Sequence, residues 1–245
     1  MKEVKFKVFR FDPGKEAKGH YREYAVEWSK GLTVLDGLRQ IKGYQDGTLT
    51  FRRSCRSAIC GSCGMRINGH NRLACRTQVA DIVGDSGTVL VEPLSYQKVV
   101  KDLVVDQTAY WEKYTAVRPW LIPNEANPPP EKEYLISPEQ VAALNDAEVC
   151  IQCGCCYSGC TMVWSDPQYL GPAALLSAYR FVADPRDGAQ EERLKIVDSI
   201  HGVWRCHTIF NCIDACPKEL SPTWAIEQLR KRIVAQKAPW LPFFR

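Results

Sequence analysis

The sequence predicts an α+β chain in two parts, strands first and helices after. Three observations predict it. Much of the first hundred residues alternates polar and apolar side chains with a period of two. A proline-rich connector, Arg118 to Glu131, interrupts the chain with Pro119, Pro123, Pro128, Pro129 and Pro130. Beyond it, helix-like segments are separated by two runs of closely spaced cysteines. The division is expected at residues 1–99 and 100–245.

Lys5 to Phe11 and Tyr21 to Trp28 alternate as strands, joined by the turn signal Asp12-Pro13-Gly14. Thr33, with Asp36 three residues on, resembles a capping box and opens a short helix to about Gly43. Val34, Leu35, Leu38 and Ile41 give it an apolar stripe. Further strands are expected near Leu49 to Arg53, Gly64 to Asn68 and Thr88 to Glu92. A twisted sheet grasping one helix is the economical assembly of these elements. In the second part, Asp102 to Tyr114 reads as a helix. Ser137-Pro138-Glu139 is a helix start with proline in the first turn. Ala173 to Ala183, Gln190 to Ile200 and Thr223 to Ala235 complete the helical set.

Twelve cysteines in 245 residues carry the chemistry. Cys55-x4-Cys60-x2-Cys63, with Cys75 twelve positions later, has the plant-type [2Fe–2S] spacing. Small residues between them (Ser54, Ser57, Ala58, Gly61, Ser62, Gly64) suit a loop that wraps closely and aims N–H groups at sulfur. Cys150, Cys153, Cys156 and Cys160 form an unbroken C-x2-C-x2-C-x3-C run. A second run, Cys206 to Cys216 followed by Pro217, has Ile209 at its second ligand position. In paired runs the fourth cysteine of each serves the other run's cluster. Crossing them gives a [4Fe–4S] cluster on Cys150, Cys153, Cys156 and Cys216. It leaves three thiolates, Cys160, Cys206 and Cys212, for a [3Fe–4S] cluster, because a hydrocarbon at 209 cannot ligate iron. Zinc favours separated C-x2-C pairs, and disulfides need an oxidising compartment. Cys155 is left as a buried free thiol. The expected fold is therefore a plant-type ferredoxin β-grasp domain followed by an all-α two-cluster ferredoxin-like domain.

The formal charge of +4 is misleading in a protein with such clusters. Eleven thiolates and three oxidised cores bring the balance to about −2, which removes the argument for nucleic acid. Arg230-Lys231-Arg232 reads as a solvated helix end. No stretch approaches the roughly 18 apolar residues of a membrane span. The N-terminus lacks the pattern of a secretory signal or a transit peptide, so the chain is expected to stay where it is made.

On these residues the chain resembles the iron–sulfur subunit of the succinate dehydrogenase / fumarate reductase family. The most specific matches are Ser54 to Gly64, Cys150 to Cys156, Gly171-Pro172-Ala173-Ala174 and Arg205 to Lys218. The resemblance implies a subunit of an oxidoreductase that is inactive alone. It implies a flavoprotein partner with covalent FAD, one or more membrane-anchor subunits, and a quinone (menaquinone or ubiquinone) as electron partner. Single electrons would pass by [2Fe–2S], [4Fe–4S] and [3Fe–4S] between flavin and quinone, with succinate oxidation the favoured direction. His207 matches a position that helps form the quinone pocket in relatives, and Trp164, one residue before the position where relatives often carry tryptophan, is a candidate for the same pocket. Thr161 and Ser165 depart from the proline and tryptophan often found there. The expected location is peripheral, on the cytoplasmic face of a prokaryotic inner membrane. The alternatives are quinol:fumarate reduction, the reverse direction, and a free multi-cluster ferredoxin. His20, His70 and His201 are expected at the surface. The apolar tail, residues 238–245, is expected against a partner or membrane boundary.

Overall fold

A computed structural model describes residues 3–124, 133–144, 147–238 and 240. Its backbone divides into two compact units, residues 1–107 with 151–159, and residues 108–150 with 160–245.

The first unit is a five-stranded mixed sheet with strand order β2-β1-β5-β3-β4. Its strands are β1 (Glu3–Arg10), β2 (His20–Glu27), β3 (Gly64–Ile67), β4 (His70–Leu73) and β5 (Thr88–Glu92). β1 pairs antiparallel with β2 and parallel with β5. The period-two pattern does what it predicts: Val4, Phe6 and Val8 of β1 are buried, and Glu3, Lys5 and Lys7 are exposed. Helix α1 (Val34–Gln40) lays Val34, Leu35 and Leu38 on that core. The Thr33 hydroxyl accepts from Asp36 N at 3.1 Å, and the Asp36 carboxylate accepts from Thr33 N at 3.4 Å. The helix runs on into a wider turn, Ile41–Gln45. A four-residue helix α2 (Val79–Ile82) follows β4.

Two sequence expectations fail in this unit. Leu49 to Arg53 is not a strand. Its backbone is captured instead: Thr50 N donates to the Asp102 carboxylate at 2.8 Å, and Thr50 O accepts from Leu103 N at 3.2 Å. Asp102 to Tyr114 is not one helix. Strands β6 (Val99–Lys101) and β7 (Val104–Val105) form a hairpin around Asp102, whose φ is +45°. Helix α3 (Thr108–Ala116) begins only after it. Asp102 is buried because it meets Arg10 Nε at 2.9 Å, a partner far away in sequence that local periodicity cannot reveal.

In the second unit, α4 (Pro138–Ala143) starts at Ser137, whose hydroxyl accepts from Gln140 N. The central helix is α7 (Pro172–Ala183), buried at ten of its twelve residues. It packs against α8 (Gln190–Val197) and α10 (Pro222–Lys237). α8 stops at Val197, short of Ile200, because the chain folds back sharply. A β-carbon on Gly202 would stand 2.0 Å from Val197 O.

The described part of the proline-rich connector is stapled down. Fully buried Arg193 pairs with Asp187 and donates to Arg118 O and to Trp120 O, the latter at 2.7 Å. The Asp187 carboxylate in turn accepts from Ile122 N at 3.0 Å. Pro128, Pro129 and Pro130 lie outside the described residues, as does most of the 238–245 tail.

Candidate metal centres

The first cysteine loop is built around sulfur acceptors. Cys55 Sγ accepts from three backbone N–H groups, Ser57 at 3.3 Å, Ile59 at 3.4 Å and Cys60 at 3.3 Å. Cys75 Sγ accepts from Ala58 N at 3.3 Å, and Cys60 Sγ from Cys55 N at 3.5 Å. The loop achieves this by left-handed backbone at Arg56, Ala58 and Gly61. The N–H groups on Ser57, Ile59 and Cys60 favour thiolate and bring the Cys55 pKa down to about 6. Burial has the opposite effect on Cys63, pushed up to about 12. A sulfur-lined loop with N–H groups aimed inward has the chemistry a [2Fe–2S] cluster needs.

The second and third loops share a backbone design. In each, the second spacer residue is left-handed: Gln152 at φ +55° and Thr208 at +57°. In each, a left-handed residue caps a one-turn helix. Gly154 (φ +76°) caps α5 (Cys155–Ser158), and Phe210 (φ +69°) caps α9 (Asn211–Asp214). The left-handed region is costly for a β-branched threonine and a bulky phenylalanine, and such strain clusters at functional sites. Cys156 and Cys212 occupy the same turn of the two short helices. Ile209 occupies in the third loop the position of Cys153 in the second, and it is half-exposed.

Cys153 and Cys156 fold with the first unit, and Cys150 and Cys216 belong to the second. Cys155 is fully buried, as expected, but not idle. Its thiol hydrogen-bonds Cys153, and this bond leads the causes that lower the Cys153 pKa. Asn71 Nδ2 donates to Cys155 O at 3.3 Å and holds the turn in place.

Cys160, Cys206 and Cys212 all lie in the second unit. Burial raises the Cys160 thiol, and the charge of Cys206 adds to it. Burial pushes Cys212 up to about 11, against a 3.2 Å hydrogen bond with Thr223 Oγ1. Among the described residues no three His, Cys, Asp or Glu side chains are placed to hold one metal ion. A polynuclear cluster spreads its thiolates over several irons.

Residues 5–112 match the family described as "2Fe-2S iron-sulfur cluster binding domain", and residues 146–220 match "4Fe-4S dicluster domain". A relative from Oryza sativa subsp. japonica, "Succinate dehydrogenase [ubiquinone] iron-sulfur subunit 1, mitochondrial", is 44% identical over 229 residues. The match covers 92% of this chain and 80% of the relative. The chain belongs to the succinate dehydrogenase iron–sulfur subunit family. It is an electron-transfer component of an oxidoreductase complex. A chain of the "Mycobacterium smegmatis Sdh1 complex in the apo form" superposes with TM-score 0.85 at 27% identity, covering 98% of both chains. A hypothetical protein from Helicobacter pylori shares the fold alone, with TM-score 0.60 at 19% identity, over 95% of this chain and 40% of its own.

Several residues of this family member escaped the sequence reading. Arg230, expected to be solvated, donates to Val203 O at 2.7 Å and to Cys206 O at 2.6 Å, so α10 grips the backbone at a candidate ligand. Arg232 donates to Val182 O at 2.6 Å, so it too is docked. His201 is only partly exposed and meets Asp166 at 2.8 Å. That bond is the first cause holding the Asp166 carboxyl below its usual range. His207 is exposed and Trp164 half-buried. Tyr169 is fully buried beside the third loop. Burial, then the charges of Cys206, Cys160 and Cys212, hold its phenol protonated far above the ordinary value.

Proposed function

We propose that this subunit relays single electrons between the FAD of a flavoprotein subunit and a quinone (menaquinone or ubiquinone) at a membrane-anchor subunit. The favoured direction is succinate oxidation, which the name of the rice relative supports. Residues 1–99 would hold a [2Fe–2S] cluster on Cys55, Cys60, Cys63 and Cys75. Residues 100–245 would hold a [4Fe–4S] cluster on Cys150, Cys153, Cys156 and Cys216, and a [3Fe–4S] cluster on Cys160, Cys206 and Cys212. When bound, such clusters accept and release electrons one at a time, at potentials set by their surroundings.

The chain's own residues bind and tune. The N–H groups of Ser57, Ile59 and Cys60 neutralise charge on the Cys55 sulfur. The Cys155 thiol does the same at Cys153. Arg230 holds the Cys206 backbone. One observation carries the three-iron reading: the third loop keeps the left-handed turns and short helix of the second, yet presents Ile209 where the second presents Cys153. Thiolate ligation at that corner is replaced by hydrocarbon while the cradle is retained.

His207 and Trp164 are proposed at the quinone end; the exposure of His207 leaves its imidazole open to a partner or ligand. The proposed location is peripheral, on the cytoplasmic face of a prokaryotic inner membrane. No helix among the described residues is long and apolar enough to cross a membrane.

Iron and acid-labile sulfide analysis, with EPR of the oxidised and dithionite-reduced protein, tests the reading. A three-iron signal is expected when oxidised and a [2Fe–2S] signal when reduced. Protein isolated anaerobically without labile sulfide would refute it.

A further inference from the structure

Tyr169 lies in the turn between α6 (Thr161–Ser165) and α7, on the loop that follows Cys160. Its place is fixed by backbone bonds. Tyr169 N donates to Asp166 O at 3.1 Å, and the next residue, Leu170, donates its N–H to His201 O at 2.9 Å. Gly171 (φ +87°) and Pro172 then start α7. The side chain is fully buried, at 0% exposure. Its hydroxyl has no nitrogen or oxygen partner among the described residues, and the one side chain that acts on it by hydrogen bonding is Cys206. A buried hydroxyl without a partner costs free energy that folding does not recover. Tyrosine hydroxyls inside proteins almost always find an acceptor, and phenylalanine would fill the same space without the penalty. The groups that act on this hydroxyl electrostatically are the sulfurs of Cys206, Cys160 and Cys212, the three thiols proposed for the three-iron site.

We propose that the Tyr169 hydroxyl is a hydrogen-bond donor to a sulfur of the three-iron cluster and a positioning residue for its reduction potential. The inference rests on the three-iron assignment and deepens it. The acceptor that no nitrogen or oxygen supplies is sulfur at the site itself, with Cys206 the ligand sulfur nearest to hand. A donor to cluster sulfur favours the more negative, reduced state, so the hydroxyl raises the potential. No proton transfer is involved: the phenol stays protonated in both states, and only the electron moves.

The test uses the full chain in its assembled complex. EPR-monitored redox titration compares wild type with Tyr169→Phe. The variant is expected to keep the oxidised three-iron signal while its reduction equilibrium constant falls about tenfold, which is about 59 mV for a one-electron couple. The potential of the [2Fe–2S] centre should not move. A purely structural role would change cluster content but leave the potential of loaded protein alone. An intact three-iron signal with unchanged potential in Tyr169→Phe overturns the proposal. A wild-type complex without that signal overturns the cluster assignment and this inference with it. If the variant loses its cluster, the wild type carries the test. With tyrosine labelled with oxygen-17 at the hydroxyl, a hyperfine coupling to the oxidised cluster supports the contact, and its absence overturns it.

Discussion

Gly61 presses on Ile151: a β-carbon at position 61 would stand 2.6 Å from the Ile151 carbonyl oxygen. It would also lie 3.0 Å from Cys153 Cα. The loop of the first cysteine set and the loop carrying Cys153 are thus packed backbone to backbone within the first unit. Gly61 is also left-handed at φ +71°, so alanine there meets both strain and collision. Gly61→Ala is expected to cost about 1–3 kcal/mol from backbone strain alone, with the clash adding to it. The thermal midpoint should fall, and the [2Fe–2S] EPR signal per chain should fall with it. A variant with wild-type midpoint and full signal would show that the two loops separate freely.

On the proposed ligation, Ile209→Cys supplies a fourth thiolate to the third loop. Because the left-handed turns at Thr208 and Phe210 are already in place, no backbone rearrangement is required. Iron content is expected to rise by about one per chain, and the oxidised three-iron EPR signal should shrink as a four-iron site forms. Unchanged iron and an unchanged signal would mean that residue 209 does not face the cluster.

Acid should weaken the first unit through Asp46. Burial alone would raise this carboxyl's pKa; the hydrogen bonds from Thr48, Arg10 and Tyr24 overcome it and hold it well below the usual range. An unfolded aspartate titrates near about 3.9. The folded protein therefore binds this proton less readily than the unfolded chain does. The stabilisation is present above about pH 4 and is lost as pH falls towards the folded value. Asp46→Asn is expected to cost about 2 kcal/mol at neutral pH, since it weakens hydrogen bonds to a charged acceptor. The gap between variant and wild type should narrow from about pH 5 down to about pH 3. Urea midpoints at several pH values measure this. Cluster loss in acid is common to both proteins, so the difference isolates Asp46. A gap that stays constant would remove Asp46 from the acid response.

The contrast between Thr33 and Asp102 shows which parts of this fold a sequence can carry. The Thr33–Asp36 and Ser137–Gln140 caps are local, three residues apart, and their residue types mark helix starts. The alternation in β1 is likewise local. Asp102 acts on Arg10, Phe11 and Thr50, all distant in the chain, and so turns an expected strand and an expected helix start into irregular backbone and a hairpin. At the candidate centres the spacing of the cysteines is short-range and marks the two cluster-binding family segments, residues 5–112 and 146–220. Tyr169 and Arg230 did not. Neither is a metal-ligating type, and each reaches the third loop through folding of a separate segment. The left-handed Thr208 and Phe210 were equally hidden, since neither residue type favours that conformation.

Helix α1 sits on the sheet only because Gly37 has no side chain. A β-carbon there would stand 2.4 Å from Phe6 Cζ and 2.8 Å from Phe6 Cε1. Two effects oppose each other in Gly37→Ala. Alanine gains about 1 kcal/mol of helix propensity. Overpacking costs about 1–3 kcal/mol, and the Phe6 ring cannot swing away because it is fully buried in the core. Overpacking should win, and the thermal midpoint should drop. Shortening the ring side chain reverses the balance. In a Phe6→Leu background the collision is gone and only propensity remains, so Gly37→Ala should raise the midpoint relative to Phe6→Leu alone. The double-mutant cycle then reports a coupling of opposite sign to the single-variant loss. Equal effects of Gly37→Ala in both backgrounds would mean that the helix shifts to accommodate the methyl group and that Phe6 does not set its height above the sheet.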